Sequence, residues 1–241
     1  MKKTVLNIPH SSKFFPEWAK KDVIIPQNQL NNLIDFMVDE KVDKMWEFVP
    51  EQNKVVAEFS RLVVDTERFA NDDDEPMAIK GMGLYYTHTP FGNQFRIKSD
   101  DSYKKCLSIY NDYHKKLEKM VEKCLKQNGE CAFLDCHSFH DLMTYTDYDP
   151  NTFPDVCIGI NGKMSKQAKF IVDAFAFQGY SVKINEPFSG SLVPLKYFND
   201  KRVTSVMIEL NRRIYTPSSF KKVQNICKNI FNILNQKPAK C

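Results

Sequence analysis

The sequence predicts an α/β protein, a three-layer sandwich around a mostly parallel mixed sheet. Three observations carry this. Strand-like and helical segments alternate along the 241 residues. Two short runs, residues 131–135 and Val156–Ile160, are apolar at nearly every position, as strands covered on both faces must be. Hydrophobic residues make up 42% of the chain, with 18 Phe and 10 Tyr, which suffices for a large core and excludes disorder.

In chain order, Thr4–Ile8 is a short strand, rich in β-branched residues and stopped by Pro9. Over residues 27–49 the apolar Leu30, Leu33, Ile34, Met37, Val42, Met45 and Val49 recur at helical spacing. Residues 54–59 and 61–65 read as two short strands or one bent one. Residues 68–99 have weak periodicity and the acidic run 72–75, so a long surface excursion is expected, with Gly81-Met82-Gly83 permitting unusual backbone angles. Residues 100–127 read as a helix capped at Asp100 or Ser102 and stopped by Gly129. Residues 164–178 are helical up to Gly179, residues 180–185 and 204–210 are strands, and residues 218–234 form the closing helix. No linker interrupts the series, so one domain over residues 1–241 is expected.

Composition narrows the function. Lys plus Arg is 34 and Asp plus Glu is 30, a net charge of +4 that is too small to argue for nucleic acid or a membrane surface. Lysines such as Lys104, Lys105, Lys115, Lys116, Lys221 and Lys222 fall on helices and read as solvated faces. No apolar run approaches the ~20 residues needed to span a bilayer, and the start, Met1-Lys2-Lys3-Thr4, lacks a signal-peptide pattern. Seven cysteines (Cys106, Cys124, Cys131, Cys136, Cys157, Cys227 and Cys241) form no C-x-x-C pair. The expectation is a reduced, soluble, cytoplasmic protein.

Chemistry-bearing residues gather at strand ends, where open α/β sheets bind ligands. His10 follows the first strand; Asp65, Glu67 and Arg68 follow the apolar run ending at Val64; Asp135 and His137 follow residues 132–134; Glu209, Asn211 and Arg212 lie in or after an apolar run. Two histidines and a carboxylate suit a hydrolytic zinc site, and an arginine can grip a substrate carboxylate with a bidentate fork. Asp135-x-His137 in a buried strand is a costly place for polar groups. Alternation alone leaves Glu209 on either face, and Asp39 and Asp43, one turn apart, describe a solvated helix face. His114 reads as helix packing, while His88 and His140 could line a cavity.

Six ordered motifs go further: Ile8-Pro9-His10-Ser11-Ser12, the stretch from Phe59 through Asp65-Thr66-Glu67-Arg68 to Phe69, Leu134-Asp135-Cys136-His137-Ser138-Phe139, Pro154-Asp155-Val156-Cys157-Ile158-Gly159, Pro187-Phe188-Ser189-Gly190-Ser191, and Met207-Ile208-Glu209-Leu210-Asn211-Arg212-Arg213-Ile214-Tyr215. From Thr4 to Tyr215 the chain resembles the N-formylglutamate amidohydrolases. The resemblance implies a zinc-carboxypeptidase-like α/β fold related to aspartoacylases. It implies one zinc ion held by His10, Asp39 and His137, with Glu209 as general base and Arg68 receiving the substrate carboxylate. Asn211 and Arg212 would help hold the substrate, and Ser189 and Gly190 would let backbone approach it. The implied reaction is hydrolysis of an N-acyl amino acid, foremost N-formyl-L-glutamate to formate and glutamate, late in histidine degradation. Much of the family has Asp-Leu-Asn-Arg where this chain has Asp65-Thr66-Glu67-Arg68, and aromatic residues where it has Glu40 and Lys41. These departures leave substrate identity open. Two other readings also stay open: a relative acting on another N-acyl amino acid or small peptide, and a metal-free binding protein on the same fold.

Overall fold

The computed structural model describes residues 2–142 and 149–236; Cys241 lies outside them. The strands are β1 (Thr4–Ile8), β2 (Lys54–Val56), β3 (Cys131–Phe139), β4 (Val156–Ile160), β5 (Val182–Ile184) and β6 (Val203–Asn211). The helices are α1 (Glu17–Lys20), α2 (Gln27–Met37), α3 (Val42–Met45), α4 (Asp100–Asn128), α5 (Lys166–Ala176) and α6 (Phe220–Leu234). The strands form one sheet in the order β2-β1-β3-β6-β4-β5. β1, β3 and β6 run parallel, and β4 is antiparallel to β6 but parallel to β5. This is the predicted α/β class with a mixed, mostly parallel sheet.

The chain divides into two compact units, each described by itself: Met1–Ile8, Lys41–Val55 and Leu117–Cys241 in the first, Pro9–Glu40 and Val56–Lys116 in the second. In the first unit the two-residue period of the strands sorts the side chains by face. Leu6, Ile8, Leu134, Cys136, Val206, Ile208, Leu210, Val156 and Ile158 all point into one apolar cluster. That face is covered by Val42, Met45 and Trp46, by Ala168, Ile171 and Phe175 of α5, and by Val223, Ile226, Cys227, Ile230 and Phe231 of α6. The last five recur at three- and four-residue steps, the stripe by which α6 is recognised in the sequence. Ser165 caps α5 by accepting from the Ala168 N–H. The alternate residues of the same strands face the other way, and they include Asn7, Asp135, His137 and Glu209.

The second unit corrects the expected surface excursion. Met82, Leu84, Tyr85, Tyr86 and Phe95 are buried with Leu30, Leu33, Ile34 and Met37 of α2 in its own core. Irregular backbone hides the contribution, because without a regular period the apolar residues show no stripe. Arg96 is fully buried there; its Nε donates to the Tyr86 carbonyl at 2.9 Å and an Nη to the Val63 carbonyl at 3.2 Å. Its guanidinium lies over the Tyr85 ring, 3.5 Å from the centroid. Burial pushes its pKa down to about 10 against the pull of Tyr85, Cys106 and Asp22.

Other boundaries shift for local reasons. The helix expected over residues 27–49 breaks after Met37: Val38 is extended, the Asp39 N–H donates to the His10 carbonyl, and Lys41 has φ 63°. Residues 61–65 form no strand: 61–63 are a turn, and the Val63 and Val64 N–H groups bond back to the Ser60 carbonyl. β3 runs four residues beyond the apolar run, to Phe139. The six cysteines among the described residues are all buried thiols. No helix among those residues is long and apolar enough to cross a membrane.

Two predictions follow from the second unit. Arg96→Met should cost about 2–4 kcal/mol, since the Val63 and Tyr86 carbonyls lose their donor in a dry core; urea unfolding checks this, and an unchanged midpoint would show that they find other partners. The Asp22 carboxylate accepts from Tyr85 Oη at 2.7 Å and Ser99 Oγ at 3.0 Å. Burial alone would raise its pKa, but hydrogen bonds from Ser102, Tyr85 and Ser99 and the charge of Arg96 hold it below the ordinary value. A carboxylate with a lowered folded pKa adds stability above its unfolded pKa of 3.8 that disappears as pH falls through the folded value. Asp22→Asn should therefore flatten the acid limb of a melting-temperature profile below about pH 4 and lower the plateau above it.

Candidate active site

In the first unit the residues that matter lie within strands, not beyond them. Register places Asn7, Asp135, Met207 and Gly159 in one row across β1, β3, β6 and β4. The next row holds His137, Glu209 and Cys157. Asp135, His137 and Glu209 are all at most 8% exposed, so alternation puts Glu209 on the same buried face as His137. Asp135 Oδ1 accepts from Asn7 Nδ2 at 2.8 Å and pairs with His137 Nε2 at 3.1 Å, while Oδ2 accepts from the Leu192 N–H at 2.9 Å. Asn211 closes the strand: its amide donates to Asp141 Oδ1 and the Pro154 carbonyl, and its oxygen accepts from the Arg213 N–H. Arg213 spans Asp155, Asp141 and the Phe153 carbonyl, and Arg212 is half-buried beside it. Ser189 is exposed, and Gly190 has φ 78°, a conformation suited to glycine.

In the second unit Asp65 is the hub. Its carboxylate has no solvent exposure and accepts from His10 Nε2 at 2.8 Å, the Glu67 N–H at 3.0 Å, Arg61 Nη2 at 2.9 Å and Tyr86 Oη at 2.7 Å. Burial alone would raise its pKa; His10, Arg61 and Arg68 outweigh that and hold it well below the usual carboxylate range. On the other side of the His10 ring, Nδ1 lies 3.8 Å from Asp39 Oδ2. Burial, reinforced by Arg61, lowers the His10 pKa to about 4 against the pull of Asp65 and Asp39, so the imidazole is neutral at pH 7. Arg68 donates to Tyr86 Oη at 3.2 Å and lies within 4 Å of Asp65 and Glu75. Its side chain is 22% exposed, so the fork is partly open. Burial opposes its charge, but Tyr86 and Asp65 prevail and raise its pKa. His114 braces the segment from α4, with Nε2 2.8 Å from the Thr66 carbonyl, and His88 meets Thr87.

The sequence points to His10, Arg68, His137 and Glu209, and each belongs to one of these two polar clusters. Spacing alone puts Asp39 on a solvated helix face, whereas it is buried in the break after α2 with its N–H bonded to the His10 carbonyl. The sequence misses Tyr86, Arg61 and Asn7 as parts of the clusters. Arg61 stands four residues before Asp65, a spacing that hints at the pair; nothing local marks Tyr86 or Asn7.

Each unit thus carries buried His and carboxylate groups, residue types that a hydrolase uses. The chain belongs to the N-formylglutamate amidohydrolase family, whose model matches residues 2–216. No curated protein matches it. Among solved structures it is similar to the N-formylglutamate amidohydrolase of Ralstonia eutropha, with a TM-score of 0.82 and 20% identity over 97% of this chain and 93% of that one. It is also similar to a gene product of Agrobacterium tumefaciens, with a TM-score of 0.71 and 14% identity over 97% of this chain and 90% of that one. At these identities the likeness concerns the fold.

The Asp65 hub yields a prediction. Tyr86→Phe removes one donor to Asp65 and one acceptor for Arg68 and should cost about 1–2 kcal/mol in urea unfolding. A wild-type midpoint would show that His10, Arg61 and the Glu67 N–H satisfy the carboxylate without the phenol.

Proposed function

We propose that this protein is a zinc-dependent amidohydrolase that cleaves an N-acyl amino acid, foremost N-formyl-L-glutamate to formate and L-glutamate. The observation that carries the reading is His10: buried, neutral, and gripped at Nε2 by Asp65 while Nδ1 faces Asp39. Metal-ligating histidines are held this way, with the second ring nitrogen on a carboxylate, and they must be deprotonated.

In this reading His10, Asp39 and His137 hold the ion, a donor set of the two-His, one-carboxylate kind that leaves a position for water. A second reading of the carboxylate is Glu67, whose N–H donates to the same Asp65 carboxylate that His10 Nε2 meets. Zinc measured on Asp39→Asn and Glu67→Gln separates the two, because the true ligand's variant loses the metal.

When bound, zinc lowers the pKa of a coordinated water to about 7 and polarises a carbonyl. The chain's own groups do the rest. Arg68 pairs with the substrate carboxylate and fixes the acyl group in register. Glu209 accepts a proton from water as the oxygen attacks the acyl carbon. It returns that proton to the nitrogen as the C–N bond breaks, so the products are a carboxylic acid and a free amine. Arg212 and the Ser189-Gly190 backbone complete the substrate site, and the buried face of the sheet keeps bulk water from the proton path.

Two outcomes test this. Glu209→Gln should retain stoichiometric zinc and lose at least about 10²-fold in kcat; a near-normal kcat would remove Glu209 from the base role. Arg68→Ala should lose about 10²-fold in kcat/KM on N-formylglutamate and far less on an uncharged formamide; equal losses would make Arg68 structural. A panel of N-acyl amino acids assayed on the wild type fixes the acyl and side-chain preference.

A further inference from the structure

Residues 185–192 form a strap along the polar face of the sheet. Asn185 Oδ1 accepts from the Gly190 N–H at 3.1 Å and from the Ile160 N–H at 2.9 Å. Asn161 brackets Ser191 from both sides, donating to its carbonyl at 2.7 Å and accepting from its N–H at 3.2 Å. Ser205 Oγ lies 2.6 Å from Ser191 Oγ and donates to the Leu192 carbonyl at 2.6 Å. The strap lies so close to β4 that a Cβ on Gly159 would collide with the Gly190 carbonyl oxygen and with Met207. Gly159 thus permits an approach no other residue would. At the end of this scaffold the Leu192 N–H reaches Asp135 Oδ2, and Asp135 Oδ1 meets His137 Nε2.

We propose that Asp135 is the positioning residue for His137, and that the 185–192 strap, through the Leu192 N–H, sets the angle of the Asp135 carboxylate. This rests on the metal reading above and extends it to the groups that aim the ligand. Asp135 Oδ1 accepts from Asn7 Nδ2 and Oδ2 accepts from the Leu192 N–H, and His137 Nε2 lies 3.1 Å from Oδ1. The carboxylate is pinned at both ends and can only accept. His137 is therefore held as the Nε2–H tautomer, with Nδ1 as its metal-binding nitrogen. Gly159, Asn161, Asn185 and Ser205 owe their roles to this arrangement: each fixes the strap, and none need touch substrate.

The test has two readouts. Long-range 1H–15N spectra of the metal-free wild type, taken at a pH where imidazole is neutral, should give His137 as the Nε2–H tautomer. An Nδ1–H tautomer would overturn the proposal whether or not the protein binds zinc. Zinc affinity is then measured by chelator competition. Asp135→Asn turns an NH2 against one of its donors and should weaken zinc about 10–100-fold. Ser205→Ala, a mild change that keeps the fold, and Gly159→Ala, which displaces Gly190, should each weaken zinc several-fold. In Ser205→Ala the metal-free melting temperature should stay near wild type. Wild-type affinity in Asp135→Asn would overturn the positioning role, and wild-type affinity in both strap variants would overturn the strap. A wild type that binds no zinc would instead sink the metal reading, with the tautomer still deciding whether Asp135 orients His137.

Discussion

Everything in the first unit depends on the two-residue period of four adjacent strands. Leu6, Leu134, Val206 and Ile160 stand in register on one face of the sheet, and Asn7, Asp135, Met207 and Gly159 stand in register one residue further along, on the other. The first face is paid for by hydrophobic burial under α5 and α6. The second buries polar groups, which is tolerable only if each finds a partner. Asp135 meets that demand by accepting from a neighbouring strand and from a distant loop at once. A one-residue slip in β3 would turn His137 and Asp135 into the apolar cluster and bring Cys136 into their place, so the register itself is a functional constraint.

The second unit meets the same demand without a sheet. Asp65 is a fully buried carboxylate whose attraction to Arg61 and Arg68, with the hydrogen bonds from His10 and Tyr86, outweighs the cost of taking it out of water. Breaking such a cluster at one member strands the others. Arg96 supports it from behind, since it binds the carbonyls of Val63 and Tyr86, the residues that lead into Asp65 and carry its phenol donor. Buried charge in this unit therefore serves order: side chains of Asp65 and Arg96 tie together turns that no sheet or long helix holds.

How much of this was legible varies with how local the signal is. Thr4–Ile8 and Val156–Ile160 are strands to the residue, because β-branched or apolar runs bounded by Pro, Gly and Asp carry their own ends. α6 is equally plain from its apolar stripe. The stretch from Arg68 to Ser99 was not, because its buried residues, Leu84, Tyr85, Tyr86 and Phe95, sit on irregular backbone with no period to detect. Asp39 shows the same limit: helical spacing continues through it, yet the helix ends at Met37, Val38 is extended and the Asp39 N–H bonds to the His10 carbonyl.

By itself the sequence determined the chemistry available: two histidines after apolar runs, a Glu between Ile208 and Leu210, an arginine following Asp65, and six ordered motifs of one family. It determined the strands as well, since their signals are local. The tertiary structure decided which atoms of those residues can act. That Glu209 is buried beside His137, that His10 stays neutral, and that Asp135 faces a loop N–H from 57 residues away are consequences of register, burial and long-range hydrogen bonding. None of these is a property of a local segment, because each depends on what a distant part of the chain places within about 3 Å.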